Sequence, residues 1–135
     1  MRDKIVRDLA ARYAQFVDDK AFDRMGEIMA ADVEMAAAGF ETHSLEEFGE
    51  QLKFLDNFSG TMHIIGNQLG EWEGEKYNGE TYCVASHIYE KDGVGYKMEM
   101  GIRYKDTIAP MDGTYKFTRR YLDVLWEQDL PLKME

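Results

Sequence analysis

His63 is the residue best suited to chemistry, because it lies in a segment with the pattern of a β-strand. The segment Thr61–Asn67 reads TMHIIGN, and strand alternation places His63 with Ile65 on one face and Met62 with Ile64 on the other. Histidine has an unperturbed pKa near neutrality, so a histidine that projects from a rigid strand into an enclosed space is suited to proton transfer. A lone histidine on a strand is more often a structural residue, and this segment alone does not decide between the two interpretations.

A second histidine, His87, lies on a later strand-like segment. Alternation groups it with Cys83, Ala85 and Tyr89 on one face. The small residues beside it leave space for something other than side chains, which favours a pocket. An outward-facing histidine on a hairpin explains the same pattern, so both interpretations stay open.

Tyr13 and Asp18 are candidates of a different kind, since both belong to the first helical segment. They are five residues apart, which corresponds to about 140° around a continuous helix. A single helix face therefore cannot carry both, and the two side chains meet only if the helix ends between them. The pair Asp18-Asp19 favours such an end, but Asp18 could equally cap the next helix, which is the more common role.

The spacing of apolar residues predicts helices on both sides of that pair. The first helix runs from Asp3 to about Phe16, with one apolar stripe. A second, shorter helix is predicted over residues 22–29, after a tight connection.

A third helix and a series of strands complete the predicted fold. Ser44 followed by Glu47 forms a capping box at the start of the third helix. The predicted strands are Val33–Ala37, Thr61–Trp72, Glu80–Lys91, Gly95–Asp106 and Thr114–Glu127. The predicted turns are Gly74–Gly79 with its Asn78-Gly79 pair, Asp92-Gly93, and Pro110–Gly113 with its Asp112-Gly113 pair.

These elements predict an α+β domain in which three N-terminal helices pack on a strongly curved, mainly antiparallel sheet. The chain is expected to form a single domain over residues 1–135, with residues 130–135 as a mobile or interface tail. The residues expected to be buried are Leu9, Phe16, Met25, Ile28, Leu52, Ile65 and Phe117.

Composition restricts the possible partners. The 16 Lys and Arg residues against 26 Asp and Glu residues give a net charge of -10, which opposes binding to nucleic acid. The lone Cys83 cannot form an intrachain disulfide, and no CxxC pair or histidine cluster suggests a structural zinc site. With neither a signal peptide nor a membrane-spanning segment in the sequence, we expect a cytoplasmic protein that does not bind membranes.

Several segments, in this order, resemble the SnoaL-like branch of the nuclear-transport-factor-2-like superfamily. They are RYAQFVDDKAFDRMGEIMAADVEM, SLEEF, TMHIIGN, GETYCVASHIY, GIRYKD and DGTYKFTRR. That branch includes polyketide cyclases and scytalone dehydratase. Similar proteins include bile-acid 7α-dehydratase, hexachlorocyclohexane dehydrochlorinase and the small subunits of ring-hydroxylating dioxygenases. The resemblance runs from about Ile5 to Trp126 and implies a cone-shaped α+β barrel with an internal pocket.

The resemblance also implies a set of site residues. The catalytic histidine of the family corresponds to His63, and the aspartate after its first helix corresponds to Asp18. The helix tyrosine of the dehydratases corresponds to Tyr13, and the second-strand histidine of scytalone dehydratase corresponds to His87. No motif decides which of Arg103, Arg119 and Arg120, if any, reaches the pocket.

Two functions are compatible with this set. The first is a lyase, a dehydratase or an isomerase acting on a small hydrophobic cyclic molecule, with His63 as general base, Asp18 orienting it, and Tyr13 and His87 polarising an oxygen. This chemistry requires neither a metal nor a cofactor. The alternative is a non-catalytic protein that binds a small ligand or serves as an accessory subunit.

A homodimer or homotrimer is also expected. The segment with Leu122, Val124 and Trp126 predicts an apolar sheet face that needs cover.

Overall fold

The computed structural model describes residues 2–133. Its helices are α1 (Arg2–Asp18), a first 3₁₀ helix (Phe22–Glu27), α2 (Leu45–Leu52) and a second 3₁₀ helix (Lys53–Asn57). Its strands are β1 (Met29–Ala37), β2 (Phe40–Thr42), β3 (Gly60–Glu73), β4 (Lys76–Lys91), β5 (Val94–Met111) and β6 (Thr114–Pro131). None of the helices in this part of the chain is both long and apolar enough to span a membrane.

The six strands form one curved sheet in the order β2-β1-β6-β5-β4-β3. The pairs β3–β4, β4–β5 and β5–β6 form the antiparallel meander, while β1 pairs with β6 in parallel. The helices cover the inner face of this sheet, with the buried stripe of α1 in its core. The predicted α+β class is therefore confirmed.

The end of α1 explains the position of Asp18. The Ala21 amide donates to the Phe16 carbonyl at 2.8 Å and the Lys20 amide donates to the Val17 carbonyl at 3.1 Å, the two bonds of a Schellman motif. Lys20 takes the left-handed conformation with φ of 52°. The helix thus stops just after Asp18, two residues later than predicted.

The other helix predictions are correct in place but not always in type. The second predicted helix is a 3₁₀ helix that ends at Glu27, before Ile28 and Met29. The capping box of α2 is present, because the Glu47 amide donates to Ser44 Oγ at 3.0 Å and Glu47 Oε1 accepts from the His43 amide at 2.8 Å.

The turn predicted over Gly74–Gly79 lies in that range, but the Asn78-Gly79 pair does not form it, and packing gives the reason. The chain reverses at Gly74-Glu75, whereas Asn78 and Gly79 lie inside β4. Gly79 faces Gly70 across the β3–β4 pair, and a Cβ at either position would overlap the Tyr77 hydroxyl. The glycine at 79 therefore makes room for an aromatic side chain, and no turn is needed there.

The other two hairpin turns are confirmed. Asp92-Gly93 and Asp112-Gly113 both connect strands, and all four residues have positive φ. Of the residues expected to be buried, only Ile65 is half-buried and the others are buried. Leu130 and Pro131 extend β6 instead of forming a tail, and positions 134 and 135 lie outside the described residues.

The shared face predicted for Leu122, Val124 and Trp126 is wrong. Gly101 pairs with Trp126 but Ile102 pairs with Val124, so Leu125 is an extra residue that interrupts the alternation. Leu122 lines the inner side of the sheet, whereas Trp126 lies over Gly101 in an outer groove.

Two glycine substitutions should change stability in opposite directions. Gly113→Ala should lower the free energy of unfolding by roughly 1 kcal/mol, because φ of 84° is unfavourable for alanine. Gly49→Ala in α2 should raise it by up to about 1 kcal/mol, because alanine is the better helix former. Neither new methyl group would meet an atom within 4 Å, so urea unfolding would measure the backbone effect. Equal effects at both positions would contradict this account of the turn.

Candidate active site

A partly open cavity of about 350 Å³, called here the internal cavity, lies between α1, α2, the second 3₁₀ helix and the inner face of the sheet. Most of its wall is apolar, and the polar side chains that line it are Tyr13, Gln51, His63, His87 and Tyr104. A larger cleft of about 440 Å³ lies beside the first turn of α1, but none of the predicted site residues lines it. The internal cavity is therefore the candidate active site.

Asp18 and His63 are in direct contact. The Nδ1 of His63 lies 2.7 Å from Oδ1 of Asp18, and the His63 side chain is 7% exposed. The same carboxylate accepts the His63 backbone amide at 3.0 Å and the Thr61 hydroxyl at 2.8 Å. Three hydrogen-bond donors of β3 thus converge on one carboxylate at the end of α1.

These contacts determine the ionisation of Asp18 and the tautomer of the neutral His63 ring. Burial opposes ionisation of Asp18, but the hydrogen bonds from the His63 ring, the His63 amide and Thr61 outweigh it, so the pKa of Asp18 lies below its ordinary value. The ionised carboxylate accepts, so Nδ1 of His63 carries the hydrogen. Within residues 2–133, the other ring nitrogen, Nε2, has no hydrogen-bond partner. In the neutral ring, Nε2 is therefore a free base.

His87 lies on the inner face of β4. This agrees with the interpretation of a pocket residue and not with that of an outward-facing histidine. Its Nδ1 donates to the Met98 carbonyl at 3.1 Å, and its ring centroid is 5.9 Å from that of His63. Burial lowers the pKa of His87, which favours the neutral ring. A neutral ring with its hydrogen on Nδ1 offers Nε2 only as an acceptor.

Tyr13 lies on the inner side of α1 and is buried. Its ring packs edge-on against Tyr104, with 5.8 Å between centroids. Burial raises the pKa of Tyr13 to about 12, so the hydroxyl stays protonated and can donate a hydrogen bond. Helix α1 does not end between Tyr13 and Asp18, so the two side chains do not share a face: Tyr13 lies on the cavity wall, and Asp18 lies at the helix end.

The three arginines left open by the sequence have different surroundings. Arg120 is fully buried and pairs with Asp106, with Nε 2.6 Å from Oδ1. Arg103 pairs with Glu80, and Arg119 lies 3.6 Å from Glu34. None of the three lines the cavity, but Arg120 lies directly behind its aromatic wall.

Sequence reasoning missed Tyr104, which lines the cavity and is 1% exposed. It also missed the burial of Asp106 and Arg120. The available signal was alternation on β5, which places Ile102, Tyr104 and Asp106 on one face. In residues 2–133, no group of three or more His, Cys, Asp and Glu side chains is arranged to hold a metal ion.

Replacing Asp18 should reduce stability in a pH-dependent way. The folded carboxyl binds its proton less tightly than the unfolded one, so Asp18 stabilises the fold fully above the unfolded pKa of about 3.9. That contribution is lost as the pH falls through the lower folded pKa. Asp18→Asn should therefore be less stable than the wild type by about 2 kcal/mol near pH 7, and the difference should shrink in acid.

Urea unfolding between pH 2.5 and pH 7 would measure this difference. The control is Asp19→Asn, which alters an exposed carboxylate at the adjacent position. A stability difference for Asp18→Asn that stays constant down to the lowest pH would contradict the assignment.

Solved structures with the same fold carry the names of several different enzymes. A candidate scytalone dehydratase from Novosphingobium aromaticivorans is 21% identical, with 98% of this chain and 89% of that chain covered and a TM-score of 0.85. Hexachlorocyclohexane dehydrochlorinase LinA-type3 from Novosphingobium barchaimii is 16% identical, with 96% and 90% covered and a TM-score of 0.83. A candidate aromatic ring hydroxylase from Novosphingobium aromaticivorans is 20% identical, with 95% and 91% covered and a TM-score of 0.80.

At these identities, the likeness to solved structures shows the fold. No curated protein sequence matches the chain significantly. The SnoaL-like domain family matches residues 3–121, which is most of the chain and includes all four predicted site residues. The resemblance stated from the sequence is confirmed, and the chain belongs to the SnoaL-like domain family.

Proposed function

We propose that the protein is a lyase or isomerase that removes a proton from a small, largely apolar cyclic substrate, with His63 as the general base. The observation that carries the proposal is the 2.7 Å contact between Asp18 and the Nδ1 of His63 at the wall of the internal cavity. It leaves Nε2 as the basic atom and supplies a carboxylate to stabilise the imidazolium. Two structural neighbours are named as a dehydratase and a dehydrochlorinase, and both names denote eliminations.

The proposed reaction follows from these positions. Nε2 of His63 takes a proton from a substrate carbon, and the electron pair of that bond forms a new double bond. Either a leaving group departs, as in a lyase, or an enolate forms, as in an isomerase. The proton on Nε2 then passes to the departing hydroxyl, giving water, or returns to another carbon of the substrate. Asp18 stays ionised throughout.

Tyr13 and His87 have different proposed roles. Tyr13 is protonated and donates to the departing or enolising oxygen. Neutral His87 cannot donate from Nε2, because its ring hydrogen is used by the Met98 carbonyl. We therefore assign His87 as an acceptor for a substrate hydroxyl, which differs from the polarising role expected from the resemblance.

The base can be tested before the natural substrate is known. The probe 5-nitrobenzisoxazole loses the proton on its C3 to a base while its N–O bond breaks, and the product is a coloured cyanonitrophenolate. The wild type should accelerate this reaction with saturation. His63→Ala should lower kcat/KM by roughly 10²–10⁴-fold, the usual contribution of a positioned base, and Asp18→Asn should cause a comparable loss.

The matched control is His43→Ala. His43 is also a histidine beside a carboxylate, 3.3 Å from Glu41, but it lies on the surface. This variant should keep full activity. A His63→Ala variant as active as the wild type would defeat the proposal and favour a binding role for the cavity.

The non-catalytic alternative is an accessory or ligand-binding subunit, and one observation is compatible with it. The outer face of the sheet exposes large apolar side chains, among them Met62, Ile64, Leu125 and Trp126. Such a face is typical of a surface that another chain covers. The same face supports a homodimer or homotrimer in either function.

An association test follows from this outer face. The wild type should be a dimer or trimer by light scattering at micromolar concentration. Ile64→Glu should shift it toward monomer, because Ile64 is 59% exposed and lines the outer groove. Val94→Glu, at a residue 42% exposed at the start of β5 and outside that groove, is the control and should not dissociate the assembly. A monomeric wild type would contradict self-association through this face.

A further inference from the structure

Two imidazole nitrogens without a partner face the internal cavity. Nδ1 of His63 is bound to Asp18, and Nδ1 of His87 is bound to the Met98 carbonyl. Within residues 2–133, Nε2 of neither ring has a hydrogen-bond partner, and neither atom is fully buried. Because both rings line the cavity, both Nε2 lone pairs are accessible from it.

This arrangement is typical of histidines that bind metal ions. A metal-bound imidazole uses one nitrogen for the ion and donates its other N–H to a carboxylate or to a backbone carbonyl. His63 donates to a carboxylate, and His87 donates to a backbone carbonyl. Both rings therefore have the tautomer and the hydrogen-bond partner that a metal ligand needs.

The separation of the two rings fits a shared ion. Nitrogen ligands lie about 2.0–2.1 Å from a metal ion such as zinc, so the ring centroids of two imidazoles on one ion lie roughly 5 to 6.5 Å apart, depending on the angle at the ion. The centroids of His63 and His87 are 5.9 Å apart, with 73° between the ring planes. This separation allows one ion to bind both rings without moving β3 relative to β4.

A third donor, the thioether of Met100, lines the same cavity. Ala85 pairs with His63 on β3 and with Met100 on β5. His87 follows Ala85 by two residues and lies on the same face of the sheet. His63 and Met100 are therefore both diagonal neighbours of His87, a spacing that long side chains can bridge. The small Ala85 side chain lies among the three.

The chemistry of these donors selects among metal ions. Imidazole binds zinc, copper, iron and nickel, whereas a thioether favours copper(I), so copper is the metal that both donor types favour. A structural zinc ion takes four ligands, and the remaining wall of the cavity is mostly apolar. A single positive charge costs less than a double one in such surroundings, and the Asp18 carboxylate behind His63 balances it.

We propose that His63, His87 and Met100 form a binding site for one copper(I) ion, held by the two Nε2 atoms and the Met100 thioether. Copper and substrate cannot use the cavity together, because the ion takes the Nε2 lone pair that the proposed base needs. Copper(I) is therefore an inhibitor of the proposed reaction. The binding itself does not depend on that reaction.

Nitrogen-15 NMR of the histidine rings tests the site directly, since the chain has three histidines. Every protein in the test carries Cys83→Ala, because a thiol also binds copper(I). One equivalent of copper(I), kept reduced with ascorbate in the absence of oxygen, should move the Nε2 signals of His63 and His87 together. The signals of His43 should not move.

Competition with bicinchoninate, which forms a coloured copper(I) complex, would measure the affinity of each variant. His63→Ala and His87→Ala should each weaken copper(I) binding by roughly 100-fold or more, because loss of a hydrogen-bond partner of a metal ligand already costs about 10–100-fold. Met100→Leu keeps the volume of the side chain but removes the sulfur. It should weaken copper(I) binding by roughly 10-fold or more and leave zinc(II) binding unchanged.

The matched controls are His43→Ala and Met62→Leu. His43 lies on the surface beside Glu41, and Met62 is 61% exposed on β3. Neither control should alter copper(I) affinity. If a histidine variant does not fold, the ring signals of the parent and the Met100→Leu variant still test the site.

The proposal would be overturned if one equivalent of copper(I) moved only one of the two ring signals, or if His63→Ala bound copper(I) as tightly as the parent. Equal effects of Met100→Leu on copper(I) and zinc(II) would also overturn it. In the benzisoxazole assay, copper(I) should inhibit at the concentrations at which it binds. An inactive protein that still binds copper(I) through both rings would reject His63 as the base and leave the metal site standing.

Discussion

The carboxylate of Asp18 is the interaction on which the rest of this structure depends. It lies at the end of helix α1, accepts hydrogen bonds from Thr61 and from the His63 amide, and fixes the His63 ring through Nδ1. Two of these three bonds hold a strand to a helix, and the third sets which nitrogen of the ring is basic. The same carboxylate holds β3 to α1 and orients the His63 ring. The position of that ring therefore cannot change without moving β3 relative to α1. Fold and chemistry are coupled at a single residue.

The cavity divides its polar groups between two sides. His63 and Asp18 provide a base on β3 and the end of α1, while Tyr13 and Tyr104 provide hydroxyls backed by the Arg120–Asp106 pair. The rest of the wall between the two sides is mostly apolar, and apolar surroundings strengthen electrostatic interactions.

Strand alternation predicted which residues share a face with His63 and with His87, since a sheet with one buried face requires period 2, but it left open whether those faces point inward. It could not place Asp18 against His63, because that contact depends on a Schellman motif with a lysine in the left-handed position. The prediction of a turn at Asn78-Gly79 was wrong, because glycine also occurs where an aromatic side chain packs closely against the backbone. Arg120 was missed because arginine is usually exposed, and only the depth of β5 and β6 in the sheet shows that it is buried.

The pair Asp18 and His63, called here the dyad, is anchored in a way that affects how such a domain diversifies. Asp18 is bound partly through a main-chain amide of β3, a group that no substitution can remove except by proline. The cavity wall, by contrast, is built from single side chains such as Phe40, Met100 and Leu122, none of which contributes a hydrogen bond to the dyad. Mutational drift can therefore reshape the space offered to a ligand while the proton-transfer geometry is inherited intact. A scaffold of this kind can change the ligands that it binds faster than it changes the proton transfer that it supports.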